Sequence, residues 1–315
     1  MSGPAFLTAP FHAELAEGPE GGEAFWVQTS DGVRIRAGVW PVGARGTVLL
    51  FPGRTEYVEK YGRAAGDLKA RGFATVAIDW RGQGLADRDL ADRMMGHVGN
   101  FLDYQHDVQA VLALVRGLGV PEPYYLLSHS MGGAIALRAL MRGLPVKAAS
   151  FSAPMWGIAM AAWLRPLAQP MAQLSSLFGQ AHRFAPGTNG KSYVAEADFG
   201  GNVLTTDPDM WRYMKRQVTE RPELALAGPS MGWLHTALSE CQAMSVLPAP
   251  RTPALTALGT AERVVDPAPV HLRMAGWRDG RLEMFMGAEH EVPMEAPHHR
   301  TRFFDLTADL FRRHP

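Results

Sequence analysis

Short apolar runs alternate with amphipathic stretches along this chain, and the alternation breaks once, between Met155 and Pro248. Ala24 to Gln28 and Val33 to Trp40, parted by Ser30-Asp31-Gly32, predict a hairpin, because Asp-Gly tolerates the positive φ of a tight turn. The runs Thr47 to Phe51, Ala74 to Ile78 and Tyr124 to Leu127 have the near-continuous apolar character of parallel strands covered on both faces. Between the first two, Val58 to Arg71 reads as a helix. Before the third, Phe101, Tyr104, Val108, Val111, Leu112 and Val115 recur at helical spacing. Ala134 to Met141 suits a further helix and Lys147 to Ser152 a further strand. After the break, Ala254 to Leu258 and Arg281 to Met286 predict strands, and Ala268 to Ala275 and His299 to Arg312 predict helices.

Strand and helix in alternation define the α/β class, and the expected architecture is a doubly wound, mostly parallel sheet. Residues 1–154 and 249–315 would form its core, and residues 155–248 an inserted helical cap. That insertion holds Trp156, Trp163, Trp211 and Trp233, half of the eight tryptophans, and seven of the sixteen methionines. Most of them are expected to form a small helical core, with a minority lining a pocket for a flexible apolar ligand.

Composition narrows the partners without naming one. The 315 residues are 47% hydrophobic and 20% charged, which suits an ordinary globular protein. Lys plus Arg and Asp plus Glu both total 31, so no global charge favours nucleic acid or an anionic membrane. The single cysteine, Cys241, excludes an intrachain disulfide and a cysteine metal cluster, reads as a core thiol, and suits a reducing compartment. Met1 to His12 lacks the pattern of a signal peptide, and no apolar run approaches the ~18 residues of a membrane span, so a cytoplasmic chain is expected. Peripheral docking of an apolar cap edge on lipid is compatible with this composition. The oligomeric state is not legible.

Candidate chemistry gathers at the ends of predicted strands. Ser128-His129-Ser130-Met131-Gly132-Gly133 stands where a strand passes into a helix, the place of a nucleophile elbow, and its glycines leave room for a sharp turn. Ser130 is therefore the candidate nucleophile, and the Met131 N–H a candidate oxyanion donor at a helix N-terminus. The second donor should come from Pro52-Gly53-Arg54-Thr55-Glu56, and is assigned to the Arg54 backbone amide, with the Arg54 side chain read as a surface cation. Glu56 either orders this loop or opens the next helix. Among eleven histidines, His290 alone follows the last predicted strand and precedes the last helix, where such a sheet presents its base. His298 and His299 are read as helix-start residues. Glu262 is the first carboxylate after the strand Ala254 to Leu258 and the favoured acid partner. Asp266 is the alternative acid, unless it caps the helix after Pro267. The chain order serine, acid, histidine is that of α/β-hydrolases.

With these residues in place, the sequence resembles the lysophospholipase L2 and monoacylglycerol lipase group of α/β-hydrolases. The resemblance is carried by residues 51–61 (Phe-Pro-Gly-Arg-Thr-Glu-Tyr-Val-Glu-Lys-Tyr), by Asp79-Trp80-Arg81-Gly82-Gln83-Gly84, by the elbow, by Phe151 to Met155, and by Gly287-Ala288-Glu289-His290-Glu291. It implies an ester hydrolase acting on a monoacyl lipid, either a lysophospholipid or a monoacylglycerol, beneath a helical cap. Two departures from the group's pattern are Ser128, in place of the first elbow glycine, and Glu262, where aspartate is usual. No metal or organic cofactor is required. A carboxylate nucleophile, a zinc His-Glu-x-x-His motif and a phosphate loop are all missing; Gly187 to Ser192 only mimics the last. A ligand-binding protein on a hydrolase scaffold, and acyl transfer to an acceptor other than water, are the alternatives.

Overall fold

The computed structural model describes residues 6–160 and 180–315, so Trp163 and part of the expected cap lie outside the described residues. Eight strands form one sheet in the order β1-β2-β4-β3-β5-β6-β7-β8. They are β1 (Glu23–Gln28), β2 (Arg34–Trp40), β3 (Thr47–Phe51), β4 (Ala74–Asp79), β5 (Tyr124–His129), β6 (Ala149–Ser152), β7 (Ala254–Gly259) and β8 (Gly280–Phe285). β2 runs antiparallel to both β1 and β4, and every other pairing is parallel. Parallel pairing brings the carboxyl ends of β3, β5, β6, β7 and β8 to one edge, where such sheets present their sites.

Helices cover both faces, which is why the central strands are apolar throughout. One face is packed by α1 (Gly62–Ala70) and α7 (Pro297–Arg312), through Leu68, Phe303, Phe304 and Phe311. The other is packed by α2 (Tyr104–Leu118), α3 (Met131–Met141), α5 (Met231–Ser245) and α6 (Pro267–Ala275), through Val111, Ile135, Ala237 and Met274. The remaining long helix, α4 (Pro208–Glu220), joins the first cluster through Met210, Trp211 and Met214. Between β6 and β7 the described residues add no strand. α5 nevertheless packs against the sheet, so it also supplies the crossover that two adjacent parallel strands need. The predicted helix over 58–71 opens as a 3-10 turn, Val58–Tyr61, and becomes α-helical only at Gly62. A Cβ on Gly62 would lie 1.9 Å from the Ala16 carbonyl oxygen, so the close approach of the N-terminal segment requires glycine there.

A buried ion cluster ties the antiparallel strands to this turn. Arg36 on β2 grips both Glu59 oxygens at 2.8 and 2.6 Å and reaches Asp79 at 2.7 Å, all three side chains being inaccessible to solvent. Asp79 also accepts from the Val58 and Leu85 N–H groups, at 2.7 and 2.8 Å. Gly84, at φ +49, brings its backbone against this carboxylate, and a Cβ there would sit 2.3 Å from it. Arg36→Met should leave two buried carboxylates uncompensated and cost about 3–5 kcal/mol, read from the shift in urea midpoint. A loss below about 1 kcal/mol would show that the cluster relaxes into water instead.

Candidate active site

Five strand ends deliver the site. After β5 the chain turns at Ser130, whose φ of 51° and ψ of −120° are rare for a residue with a side chain, and enters α3 at once. Two glycines make the turn possible. A Cβ on Gly132 would lie 2.1 Å from the Phe51 carbonyl oxygen, and one on Gly133 would lie 2.5 Å from Pro154. The Ser130 N–H donates to Ser152 O at 3.0 Å, and its own carbonyl accepts from Gly133 and Met155, both at 2.8 Å. These bonds clamp the strained residue between β6 and α3. Ser128, which replaces the first elbow glycine, is fully buried between Phe51 and Phe151 in the ladders, and its hydroxyl has no partner among the described residues.

His290 and Glu262 meet across the ends of β8 and β7, with Nδ1 to Oε2 at 2.8 Å and both side chains buried. The other carboxylate oxygen of Glu262 accepts from Val264 N at 2.6 Å and Val265 N at 3.0 Å, which fixes it in its own loop. Burial pushes the Glu262 carboxyl up, but the bond and charge of His290 and the two backbone donors outweigh it, so its pKa lies below the ordinary glutamate value. Asp266 instead caps α6, accepting from Ala268 N at 3.1 Å with Pro267 in the first turn. His298 and His299 stand in the first turn of α7, as expected.

The loop after β3 is held by Trp80, Gln83 and Glu56. Trp80 Nε1 donates to Pro52 O at 2.9 Å, Gln83 Nε2 donates to Gly53 O at 2.9 Å, and Gln83 Oε1 accepts from Thr55 N at 3.2 Å. Glu56 accepts from the Gly53 N–H, which settles its role as the residue that orders this loop. Among the described residues the Arg54 N–H has no protein acceptor, and it is the one that directly follows the anchored Gly53. The Met131 N–H is likewise free of intrahelical bonding as the first residue of α3. A Cβ on Gly53 would come within 3.1 Å of Ser130 Cβ, so the loop lies against Ser130. The Arg54 side chain is not a surface cation: Nη1 donates to Ala227 O at 2.6 Å, and the guanidinium lies 5.6 Å from the Trp233 ring.

Beneath the site runs a charge network that the strand pattern did not reveal. Lys60, itself buried, stands 2.7 Å from both Glu56 Oε1 and Glu291 Oε2, and Tyr61 also donates to Glu56. Burial alone would raise the Glu56 carboxyl, but the Lys60 ammonium and the Tyr61 hydroxyl hold it down at about 2. His129 is pushed down to about 3, chiefly by burial, and is neutral; its Nδ1 meets Ser152 O at 3.1 Å and its ring lies 4.7 Å from that of His290. Glu56, His129 and Glu291 bring ligand atoms within 4.8 Å of one another, yet the Lys60 ammonium already supplies the positive charge between the two carboxylates. The signal available in sequence was Glu56, Glu59 and Lys60 falling together in a stretch that also carries Tyr57, Val58 and Tyr61.

A cavity of about 860 Å³ opens over Ser130 and His290. Met155, Ile158, Met214, Leu226, Met231 and Trp233 give it a largely apolar wall, and Arg54, Asn189 and Lys191 contribute polar groups. Of the tryptophans between β6 and β7, Trp156 and Trp211 are core residues and Trp233 lines the cavity. Gly187 to Ser192 borders the same cavity. Cys241 is buried, with its thiol pushed up to about 12 by burial.

A doubly wound sheet with a serine on an elbow and a histidine–carboxylate pair at the ends of its last two strands defines an α/β-hydrolase. Residues 43–297 match the model of the serine aminopeptidase S33 family, and the chain belongs to that family, within its group resembling lysophospholipase L2 and monoglyceride lipase. It is 33% identical over 279 residues to lysophospholipase L2 of Escherichia coli K12, covering 85% of this chain and 80% of that one. It is 28% identical to the probable lysophospholipase L2 of Haemophilus influenzae, covering 80% and 79%. Among solved structures, a soluble variant of Saccharomyces cerevisiae monoglyceride lipase bound to a substrate analogue superposes with a TM-score of 0.69 at 19% identity, covering 100% of this chain and 96% of that one. The monoacylglycerol lipase of Paleococcus ferrophilus gives 0.66 at 21%, covering 89% and 99%. At these identities the structural likeness speaks for the fold.

Two expectations follow from the geometry. Lys60→Met leaves Glu56 and Glu291 facing one another, so the loop carrying Arg54 should loosen and kcat on p-nitrophenyl esters fall about 100-fold, with KM little changed. An unchanged kcat would separate the network from turnover. Glu262→Gln should lower kcat by as much as about 10⁴-fold through loss of the carboxylate that orients His290. Because its pKa is depressed on folding, the Glu262 carboxylate contributes stability that is complete above the ordinary glutamate pKa and is lost as pH falls through the depressed value. Any stability gap between wild type and Glu262→Gln at pH 7 should therefore shrink in acid, as denaturant titrations at both pH values would read.

Proposed function

We propose that this carboxylic-ester hydrolase cleaves monoacyl lipids through an acyl-serine intermediate. The observation that supports the reading is that Ser130, His290 and Arg54 line one largely apolar cavity, with Glu262 bonded to His290 behind it and the open Met131 N–H next in the chain to Ser130. His290 takes the Ser130 proton as Oγ attacks the ester carbonyl, and the Arg54 and Met131 amides receive the oxyanion. When the tetrahedral centre collapses, the C–O bond to the alcohol breaks and His290 returns the proton to the departing oxygen. Water, deprotonated by His290, then attacks the acyl-serine and releases the fatty acid. Glu262 holds the imidazole tautomer and steadies the imidazolium.

Residues 155–248 serve as the cap, and α5 within them doubles as part of the core. The names of the relatives, lysophospholipase L2 and monoglyceride lipase, support a monoacyl substrate. The methionine-rich wall supports it as well, since thioether side chains adapt to an acyl chain. The buried, reduced Cys241 is consistent with action in the cytoplasm. No helix among the described residues is long and apolar enough to cross a membrane.

The test is hydrolysis of p-nitrophenyl esters from acetate to palmitate, of 1-palmitoylglycerol and of palmitoyl lysophospholipid, beside fluorophosphonate labelling. Ser130→Ala should lose at least about 10⁴-fold in kcat and all of the label. Wild type that neither turns over an ester nor takes the label would leave a ligand-binding role, and acyl product appearing on an added alcohol rather than as free acid would make the enzyme a transferase.

A further inference from the structure

We propose that the Arg54 side chain is an anion subsite, which takes the phosphate carried on the glycerol of the leaving group and so favours phosphorylated monoacylglycerols over neutral ones. This rests on the reading of the cavity as a monoacyl-lipid ester site. It begins from a contrast among the enclosed arginines. Arg36 is paired with Glu59 and Asp79, Arg81 with Asp31 and Asp107, and Arg138 with Glu240. Arg54, Arg88 and Arg273 have no carboxylate partner among the described residues, but Arg88 donates to the Gly84, Ala86 and Arg93 carbonyls and Arg273 to those of Met244 and Leu247, whereas Arg54 donates to Ala227 alone. Glu56, two residues on, is committed to Lys60. Burial pushes the Arg54 guanidinium down to about 10, yet it stays cationic at neutral pH. An enclosed cation without a counter-ion is costly, and a protein that keeps one gains when a ligand supplies the anion.

Position selects the ligand. Arg54 lines the cavity with Leu226, Ala227 and Trp233. One of its five N–H donors goes to Ala227 O, and the cation lies over Trp233, which leaves the other donors without protein acceptors among the described residues. The same residue offers its backbone N–H to the oxyanion, and an extended arginine carries its guanidinium about 6 Å from its own Cα. In a glycerol lipid acylated at one end, a phosphate at the other end lies about 5–6 Å from the ester carbonyl. An arginine at this position is long enough to reach from the reacting carbonyl to the phosphate, its guanidinium standing where the cavity meets a small void bordered by Gly96, His97 and Tyr104, and the planar fork suits phosphate oxygens. A neutral monoacylglycerol places a hydroxyl there, which meets the same donors without their charge.

The competing account makes Arg54 only a strut that holds residues 226–229 over the loop. Matched substrates separate the two: 1-palmitoyl lysophosphatidylglycerol and 1-palmitoylglycerol, turned over by wild type, Arg54→Met and Arg54→Lys. Both rates should fall in Arg54→Met, because the loop also carries the oxyanion donor. The subsite predicts that the ratio of kcat/KM values, phospholipid over neutral lipid, falls at least about tenfold further, with partial recovery in Arg54→Lys. Glycerol 3-phosphate should inhibit p-nitrophenyl butyrate turnover competitively in wild type, and at least about tenfold more weakly in Arg54→Met. An equal fall for both lipids, with glycerol 3-phosphate inhibition unchanged, would leave only the strut. Inorganic phosphate inhibiting as well as glycerol 3-phosphate would make this a site for free phosphate and overturn the assignment to a lipid headgroup. If wild type hydrolyses p-nitrophenyl butyrate but neither lipid, the lipid reading fails, and the inhibition arm still decides whether Arg54 binds the phosphate.

Discussion

The Lys60 ammonium sits between two carboxylates that belong to different halves of the active site. Glu56 comes from the loop after β3 and, through the Gly53 N–H, sets the path of the backbone that presents Arg54. Glu291 directly follows His290 at the far end of the sheet. Burial and the Glu56 charge push the Glu291 carboxyl up, and the Lys60 ammonium between the two groups opposes that push and ties them together. The spacing between the loop after β3 and the loop after β8 is therefore carried by an ion triplet, while the parallel ladders β3–β5–β6–β7–β8 hold the strands from which those loops spring. His129 closes the arrangement from below and, being neutral, adds no charge of its own.

The elbow depends on this rigidity. Ser130 has a backbone conformation that costs energy, and that cost persists only where neighbours over-determine it. Here Ser152 accepts the Ser130 N–H, while Pro154 on one side and the Phe51 and Pro52 carbonyls on the other lie so close that Gly133 and Gly132 cannot bear a side chain. Asp79 extends the same logic one strand further. Its carboxylate receives the start of the 58–61 turn and the Leu85 N–H, so the turn carrying Glu59 and Lys60 and the loop carrying Gln83 are set by one buried anion.

What could be read in the sequence was whatever declares itself by period or by strand position. Apolar runs located all eight strands, and Ser130, Glu262 and His290 were picked out because each follows a run at the edge where a parallel sheet opens. The structure brings Glu262 to His290 and sends Asp266 to a helix cap, a choice that the loop sequence alone left open. Lys60, Glu291, His129 and Gln83 were not legible as site residues, since their meaning lies in contacts between loops distant in sequence. Arg54 was misread for a related reason. A cation in a loop looks exposed until residues 226–229, far along the chain, are folded over it. The 3-10 opening of the 58–71 helix was hidden too, as was the close approach of the Ala16 carbonyl to Gly62, since both involve segments that the helical period does not describe.

The crossover between β6 and β7 has a consequence for how such a chain can change. A parallel pair needs a connecting segment in any case, and α5 meets that need by lying on the sheet beside α2 and α3. Residues 153–230 are then surplus to the ladder: they leave from the carboxyl edge of β6 and return to α5 without contributing a strand among the described residues. The entropy of closing such an excursion grows only with the logarithm of its length, by about 0.6 kcal/mol per doubling for a flexible segment. Much of the cavity wall can therefore be lengthened, shortened or exchanged while strand register, elbow and ion triplet stay as they are. Selectivity and chemistry are in this sense separately heritable, and Arg54, rooted in the chemical loop but reaching up to Ala227, is one of the points where the two are stitched together.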